Sequence, residues 1–263
     1  CVPAAPPHDA ASTPVATILA MERIDGSIHL AQRACVRLGA ANSYISRMPI
    51  RWCTFDCYGT LIDWEGGITG ALLPYFETPP DRAALAREYI ETEAAVERGR
   101  YLRYREILDQ AGRALLRAHG IDRPSPLPAS LPGWAAFPEV PAALRALQTA
   151  GRRIAILSNV DRDLIATSIP KLGIAPDLVV TAEDVGGYKP AAGHWLRFAE
   201  RSGASIADTV HIGASQYHDM VPAAALGYRT VFIDRHAEPL TSSPTRVLRD
   251  LSGLPDAVAA LEG

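Results

Sequence analysis

Polar side chains follow apolar segments at four places in this sequence, and their types could carry out nucleophilic catalysis. Asp56 ends the apolar segment "IRWCTFD", and Ser158-Asn159 end "RRIAILSN". Lys189 follows a third apolar segment, and residues 215–219 follow a fourth. A carboxylate can attack an electrophile to form a covalent ester. A nearby lysine would keep that carboxylate ionised, and a second carboxylate could deprotonate the water that cleaves the ester.

The apolar segments alternate with helical segments, which is typical of a parallel sheet covered by helices on both faces. The predicted helices cover 138–151, 161–173, 191–203 and 219–227, and "YRTVFIDR" is the last predicted strand. The carboxyl ends of parallel strands lie along one edge of the sheet. We therefore expect an α/β fold in which the polar residues meet in one crevice.

About 70 residues between the first strand and the helix at 138 read as helix, for example residues 81–120. A segment of this length is too long for a loop between a strand and a helix. We predict that residues 67–131 form a helical cap domain, inserted into a core made of residues 48–66 and 132–263. A cap above the carboxyl ends of the strands could exclude water and shape a pocket.

The first 47 residues differ from the rest, because they open with a Pro/Ala-rich stretch and show no sustained period. We predict a disordered extension over residues 1–47, with Met48 as the functional start. A lipidated Cys1 is the less favoured alternative.

Composition excludes several classes of function. The chain has 263 residues, a net charge of −3 and no run rich in Lys and Arg, so nucleic-acid and membrane partners are not expected. The 4 cysteines include no CxxC pair, which leaves reduced thiols in a cytoplasmic protein as the plain interpretation. His194, His211 and His218 have no recognised ligand spacing, and we assign them structural roles. No metal or other cofactor is predicted.

Each polar residue has an ordinary structural explanation when it is considered alone. Asp56 could stabilise a turn, Lys189 could be a surface lysine, and Asp219 could cap a helix. Their shared position at the ends of successive strands favours a common site instead. Thr60, Ser158 and Asn159 add hydroxyl and amide donors for an anionic substrate group.

The motifs "FDCYGT", "LSN", "YKP" and "GASQYHD" occur in this order over roughly residues 50–236, and they resemble the haloacid dehalogenase superfamily. The resemblance implies a Rossmann-like core, a helical cap, and hydrolysis through an aspartyl intermediate with Asp56 as nucleophile. Most members are magnesium-dependent phosphatases with a second Asp where this chain has Tyr58, and an acid where it has Ala214. A magnesium ion prefers several oxygen ligands, and the missing acid argues against a tight site.

The "DxYGT" form resembles the 2-haloacid dehalogenases of this superfamily, which need no metal. The resemblance implies that Thr60, Ser158 and Asn159 bind the substrate carboxylate or orient Asp56. Lys189 then neutralises charge and Asp219 positions the water. Tyr58, Trp195, Ser215 and Gln216 complete the predicted substrate-binding set.

The chain departs from that branch in its halogen pocket. Leu85 stands where an arginine is expected, with Arg87 nearby, while Trp195 replaces a tyrosine and Gln216 an asparagine. Two alternatives therefore remain beside the dehalogenase: a phosphatase or phosphonatase-like hydrolase with a weak magnesium site, and a catalytically silent binding protein. We expect a small-molecule substrate, and the sequence leaves a homodimer open.

Overall fold

A computed structural model describes residues 49–262, and these residues form a six-stranded parallel sheet with helices. The strands are β1 Trp52–Phe55, β2 Arg153–Ser158, β3 Leu178–Thr181, β4 Thr209–Gly213, β5 Arg229–Ile233 and β6 Arg246–Leu248. All residues of β1 and β4 are buried, because helices cover both faces of a parallel sheet.

The strand order is β3-β2-β1-β4-β5-β6, so the chain reverses its direction of travel across the sheet between β1 and β4. The two strands are in register, with Thr54 opposite His211 and Phe55 opposite Ile212. Ligands of open α/β sheets bind outside the carboxyl ends of the strands at such a reversal. The residues that follow β1 and β4 therefore stand at the position that favours a site.

The helices are α1 Trp64–Leu72, α2 Arg82–Glu97, α3 Tyr104–Ala118, α4 Leu127–Ser130, α5 Val140–Thr149, α6 Arg162–Ser168, α7 Ala182–Val185, α8 Gly193–Ser202, α9 Val221–Ala225 and α10 Leu254–Ala259. A π-helical turn covers Gln216–Met220, and 3₁₀ turns cover Leu73–Tyr75, Leu131–Gly133, Ile169–Leu172 and Ile206–Asp208.

Local sequence explains several of the helix ends. Asp63 and Asp81 precede α1 and α2, and their carboxylates accept hydrogen bonds from the backbone of Gly66 (2.8 Å) and Ala84 (2.9 Å). Pro170 ends α6 in a 3₁₀ turn, because proline has no backbone N–H to continue an α-helix. The helix predicted over 161–173 is therefore an α-helix only as far as Ser168.

The predicted α/β fold class is confirmed, and the predicted first five strands are present. Strand β6 was not predicted, because its three residues are exposed or half-buried and lack an apolar run. The segment from 64 to 133 is helical between short turns, and we call it the helical insertion. Its status as a separate cap domain remains a prediction, and the predicted disordered extension lies outside the described residues. None of the helices described between residues 49 and 262 is long and apolar enough to cross a membrane.

Candidate active site

Asp56 follows β1 directly and marks the start of a tight loop. Its backbone N–H donates to the Ile212 carbonyl at 2.9 Å, which extends the pairing of β1 with β4 by one residue. The loop turns at Gly59, whose φ of +94° is a backbone conformation that favours glycine. The turn brings Thr60 back toward Asp56, and its hydroxyl donates to Asp56 Oδ2 at 2.8 Å. One carboxylate oxygen of Asp56 is therefore held in place by the loop itself.

Lys189 joins the ends of β1 and β4 through its buried ammonium group. Its Nζ donates to Asp56 Oδ1 at 2.7 Å and to Asp219 Oδ1 at 2.6 Å. The lysine is 1% exposed, so both ion pairs lie away from solvent. Asn159 anchors the lysine backbone from both sides: its amide donates to the Lys189 carbonyl at 3.1 Å and accepts from the Lys189 N–H at 2.7 Å.

Asp219 lies on the π-helical turn that follows β4. Ser215 caps this turn, since its hydroxyl accepts a hydrogen bond from the His218 N–H at 3.0 Å. Single π-helical turns occur often at functional sites, where they reorient one side chain. Gly213 makes room for the Asp219 carboxylate, because a Cβ at position 213 would lie 2.6 Å from Asp219 Oδ2. Backbone and turn together fix where this second carboxylate stands.

The two carboxylates share one ammonium group, but the net shifts of their pKa values are opposite. Burial raises the pKa of Asp56, and Lys189 only partly opposes this rise. Burial also acts to raise the pKa of Asp219, but Lys189 and His211 outweigh it and hold that pKa well below its usual range. The carboxylates in turn raise the pKa of Lys189 against the effect of its burial. Asp219 is therefore the more strongly ionised acid, and Asp56 is the first to take a proton as the pH falls.

Four of the predicted residues meet around Asp56 in this way, namely Thr60, Asn159, Lys189 and Asp219. Thr60 also accepts a hydrogen bond from the Ala214 backbone N–H at 2.9 Å, which links the loop after β1 to the end of β4. Ser158 is buried at the end of β2, and its carbonyl faces His194 Nε2 at 3.1 Å.

Other predicted residues have their polar groups turned to neighbours elsewhere. The Tyr58 hydroxyl lies 2.9 Å from Ser168 Oγ, and the Tyr58 ring packs edge-on against Trp134. The Gln216 amide holds the loop at 239–242: it donates to the Pro239 carbonyl at 3.0 Å and accepts from the Thr241 N–H at 2.6 Å.

Trp195, which was predicted to line the substrate pocket, is 1% exposed and belongs to a buried apolar cluster with Trp52 and Phe198. Its ring packs against the His211 ring in a T-shaped arrangement, with the ring centroids 5.1 Å apart. The sequence alone missed this environment, because position within a helix does not tell which side of the sheet the helix covers.

His211 is the residue near the site that sequence reasoning assigned only a structural role. Its Nε2 lies 3.3 Å from Asp219 Oδ1, and its Nδ1 lies 2.9 Å from the hydroxyl of Thr54. The signal that could have found it is a polar residue inside an otherwise apolar strand, two positions before the strand ends. A buried polar side chain of this kind needs a partner, and here the partner is Asp219.

The donor set around Asp56 does not fit a tight magnesium site. Ala214 supplies no carboxylate, and the Lys189 ammonium already contacts both Asp56 and Asp219. Among residues 49–262 no group of three or more His, Cys, Asp or Glu side chains could hold a metal ion. A hard dication such as Mg²⁺ prefers oxygen ligands, and the residues around Asp56 offer few of them.

The helical insertion carries an acidic polar cluster on α2 rather than the expected arginine. Leu85 is buried and Arg87 is exposed to solvent. About two turns further along α2, Glu93 Oε1 accepts hydrogen bonds from the hydroxyls of Tyr104 (3.0 Å) and Tyr89 (3.3 Å). Burial raises the pKa of Glu93 to about 8.

A parallel sheet with a charged cluster at its switch point is the architecture of an α/β enzyme. Residues 50–227 match the model of the haloacid dehalogenase-like hydrolase family. Because this match covers most of the chain, the protein belongs to the haloacid dehalogenase-like hydrolases and is a hydrolase. The family resemblance predicted from the four motifs is confirmed.

Relatives and solved structures agree with this assignment. The chain is 27% identical over 226 residues to (S)-2-haloacid dehalogenase 1 of Pseudomonas sp. (strain CBS-3), which spans 81% of this chain and 98% of that protein. The crystal structure of the L-2-haloacid dehalogenase RSc1362 superposes with a TM-score of 0.73 at 22% identity, covering 81% of this chain and 100% of the other.

The L-2-haloacid dehalogenase from Xanthobacter autotrophicus, solved with chloropropionic acid covalently bound, superposes with a TM-score of 0.69 at 18% identity. The match covers 80% of this chain and 98% of that one. At such identities the two structures establish a common fold.

Proposed function

We propose that this hydrolase cleaves a small 2-haloacid, or a related small carboxylate, through an ester on Asp56 and without a metal ion. The observation that carries the proposal is the surroundings of Asp56. Lys189 and Thr60 hold its two oxygens at 2.7 and 2.8 Å, while the neighbouring Tyr58 hydroxyl is directed at Ser168. Halide needs no proton in order to leave, so a site without an acid at position 58 suits it.

In the first proposed step, a carboxylate oxygen of Asp56 attacks the carbon that bears the halogen. A carbon–oxygen bond forms as the carbon–halogen bond breaks, and the halide leaves with the bonding electron pair. Lys189 keeps Asp56 ionised before this step, even though burial favours its protonated form. Ser158 and Asn159 stand at the end of β2, where backbone and side-chain donors can receive the substrate carboxylate.

In the second proposed step, water attacks the carbonyl carbon of the Asp56 ester. Asp219 takes one proton from this water, and the bond between the carbonyl carbon and the ester oxygen breaks. The departing alkoxide takes the second proton of the water and leaves as a 2-hydroxy acid, which frees the Asp56 carboxylate. The low pKa of Asp219 keeps it ionised, and Lys189 stays beside it after Asp56 has lost its charge. As water adds, negative charge develops on the carbonyl oxygen of the ester, and this oxygen faces the Lys189 ammonium.

We assign the helical insertion to a cap that covers this site and keeps bulk water from it. Tyr58 contributes its ring to the pocket, which makes the pocket less anionic than a second carboxylate would. Ser215 and Gln216 act through the turn and the 239–242 loop that they hold. The relatives named 2-haloacid dehalogenases support the substrate class.

Halide release from 2-chloropropionate and chloroacetate in the presence of EDTA tests this function. We expect turnover in EDTA and its loss in Asp56→Asn, which removes the nucleophile but keeps the shape of the side chain. Asp163→Asn makes the same chemical change at an exposed acid and serves as the matched control. In Asp219→Asn the ester should accumulate and appear as added mass on the peptide containing Asp56.

Oxygen-18-labelled water separates the ester route from direct attack of water on the substrate. During a single turnover the ester route places the label in Asp56 and not in the product. Label that appears in the first product molecule would contradict the ester. Turnover of p-nitrophenyl phosphate that requires Mg²⁺, with no halide release from any acid tested, would instead favour the phosphatase alternative.

A further inference from the structure

We propose that His211, held by Thr54, is a positioning residue that donates its Nε2–H to Asp219 Oδ1 and leaves Asp219 Oδ2 to take the proton of the hydrolytic water. This inference rests on the proposed function, since it concerns the second step of that reaction. It adds two residues of the sheet, one on β1 and one on β4, to the machinery.

The pair is built into the sheet by register. Thr54 and His211 are direct neighbours across β1 and β4, and both side chains are fully buried. Residues in register on adjacent strands point to the same face of the sheet, so the two side chains must meet. The Thr54 hydroxyl lies 2.9 Å from His211 Nδ1, and the other ring nitrogen, Nε2, lies 3.3 Å from Asp219 Oδ1.

The number of available protons decides the direction of these hydrogen bonds. A neutral imidazole carries one N–H, so one ring nitrogen donates and the other accepts. If the ring hydrogen were on Nδ1, the lone pair of Nε2 would face the Asp219 carboxylate. With the hydrogen on Nε2, the ring donates to Asp219 and the Thr54 hydroxyl donates to Nδ1. The Thr54 hydroxyl can also donate to the Val210 carbonyl at 3.2 Å, but its contact with His211 Nδ1 is shorter, at 2.9 Å.

The surroundings of the ring support its neutral form. Burial lowers the pKa of His211, and the Lys189 ammonium acts in the same direction. The carboxylates of Asp219 and Asp56 oppose this effect, and Trp195 on α8 packs against the His211 ring in a T-shaped arrangement. A neutral ring in this setting has one favourable tautomer, with the hydrogen on Nε2.

The consequence for Asp219 is that its two oxygens are unlike. Oδ1 accepts from Lys189 at 2.6 Å and from His211, whereas buried Oδ2 has no hydrogen-bond partner among residues 49–262. A buried carboxylate oxygen without a partner is unusual and calls for a functional explanation. Gly213 leaves room for Oδ2, because a Cβ at that position would lie 2.6 Å from this oxygen. The oxygen with unused lone pairs is the one that can accept a proton from water.

Two variants of His211 test the proposal through the separate steps of the reaction. His211→Phe keeps a planar ring but removes the donor, while His211→Gln keeps an N–H that can reach Asp219. We expect His211→Phe to hydrolyse the ester about 10- to 100-fold more slowly, with ester formation nearly unchanged. A rapid burst of halide from 2-chloropropionate should precede slow turnover, and His211→Gln should recover part of the loss.

Two variants of Thr54, on the neighbouring strand β1, form a second matched pair. Thr54→Ser keeps the hydroxyl donor and should hydrolyse the ester faster than Thr54→Val, which leaves Nδ1 without a donor. Equal losses in ester formation and hydrolysis, or equal behaviour of the Phe and Gln variants, would show that His211 has only a structural role.

Nitrogen-15 NMR of the imidazole in the unmodified protein tests the geometry without any substrate. The proposal requires the tautomer with hydrogen on Nε2, and a hydrogen on Nδ1 in a neutral ring would overturn it. If the protein releases no halide from any acid, the proposed function fails while this measurement still decides whether His211 donates to Asp219.

Discussion

Asp161 ties the helical insertion to the sheet, and replacing it tests how strongly the two are joined. The residue follows β2 and its side chain is fully buried. Its carboxylate accepts hydrogen bonds from the backbone N–H groups of Tyr104 (2.9 Å) and Arg105 (3.1 Å), the first two residues of α3. A carboxylate from one part of the chain thus caps a 15-residue helix in another.

The expected cost of Asp161→Asn follows from these contacts. Asparagine can accept one of the two N–H bonds but turns its amide nitrogen toward the other. Loss of one hydrogen bond to a charged acceptor costs about 1.5–3 kcal/mol, and loss of the charge at the helix N-terminus about 0.3–1 kcal/mol. We therefore expect the free energy of unfolding to fall by about 2–4 kcal/mol.

Urea unfolding of Asp161→Asn and Asp163→Asn measures this difference. Asp163 pairs with Arg105 at the surface with its side chain 58% exposed, so its replacement should cost about 0–1 kcal/mol. The Asp161 variant should have a midpoint lower by on the order of 1 M urea. Equal midpoints for the two variants would refute the view that Asp161 carries the attachment of α3.

Three further predictions concern the site itself. Burial raises the pKa of Asp56, and only the ionised carboxylate is a nucleophile. We therefore expect kcat/KM to fall with decreasing pH at a pKa above the ordinary carboxyl value of about 4. A fall of kcat/KM at or below that value would contradict the raised pKa of Asp56. Gly213→Ala should displace the Asp219 carboxylate and lower turnover about 100-fold in the halide assay, and normal turnover would show that the carboxylate has room to move. Tyr58→Phe loses the contact with Ser168 and should cost about 1 kcal/mol in urea unfolding while halide release persists; a collapse of turnover would mean that the hydroxyl serves the leaving group.

Much of the architecture could be predicted because the apolar segments carry a clear pattern. Buried strands such as "RIAILS" are continuous apolar runs, and each ends where a polar residue begins. Strand β6 was not predicted, because its three residues at the edge of the sheet are half-buried or exposed and do not form an apolar run. The break between α2 and α3 was not predicted either, because Gly99 in "RGRYLR" is a weak signal: a single glycine can end a helix but is also tolerated inside one.

The proposed chemistry of the site rests on residue types that can be read directly from the sequence. Asp56, Lys189 and Asp219 each follow an apolar strand, and parallel strands bring such positions to one edge. Tyr58 and Ala214 argue against a magnesium-dependent phosphatase, because the resemblance predicts acidic residues at these two positions in such enzymes. These predictions depend only on the residue types and on the order of the strands and helices along the chain.

The tertiary structure decided which groups satisfy one another. Rotamers and helix orientation decide where a side chain points. Gln216 contacts the 239–242 loop, and Trp195 belongs to the apolar cluster with Trp52 and Phe198. The pairing of Thr54 with His211 depends on strand register, which local sequence does not encode. Side-chain identities therefore predicted the family and the proposed chemistry by themselves. Hydrogen-bond partners emerged only from packing, because pairs such as Thr54 with His211 and Lys189 with Asp56 join residues more than a hundred positions apart in the chain.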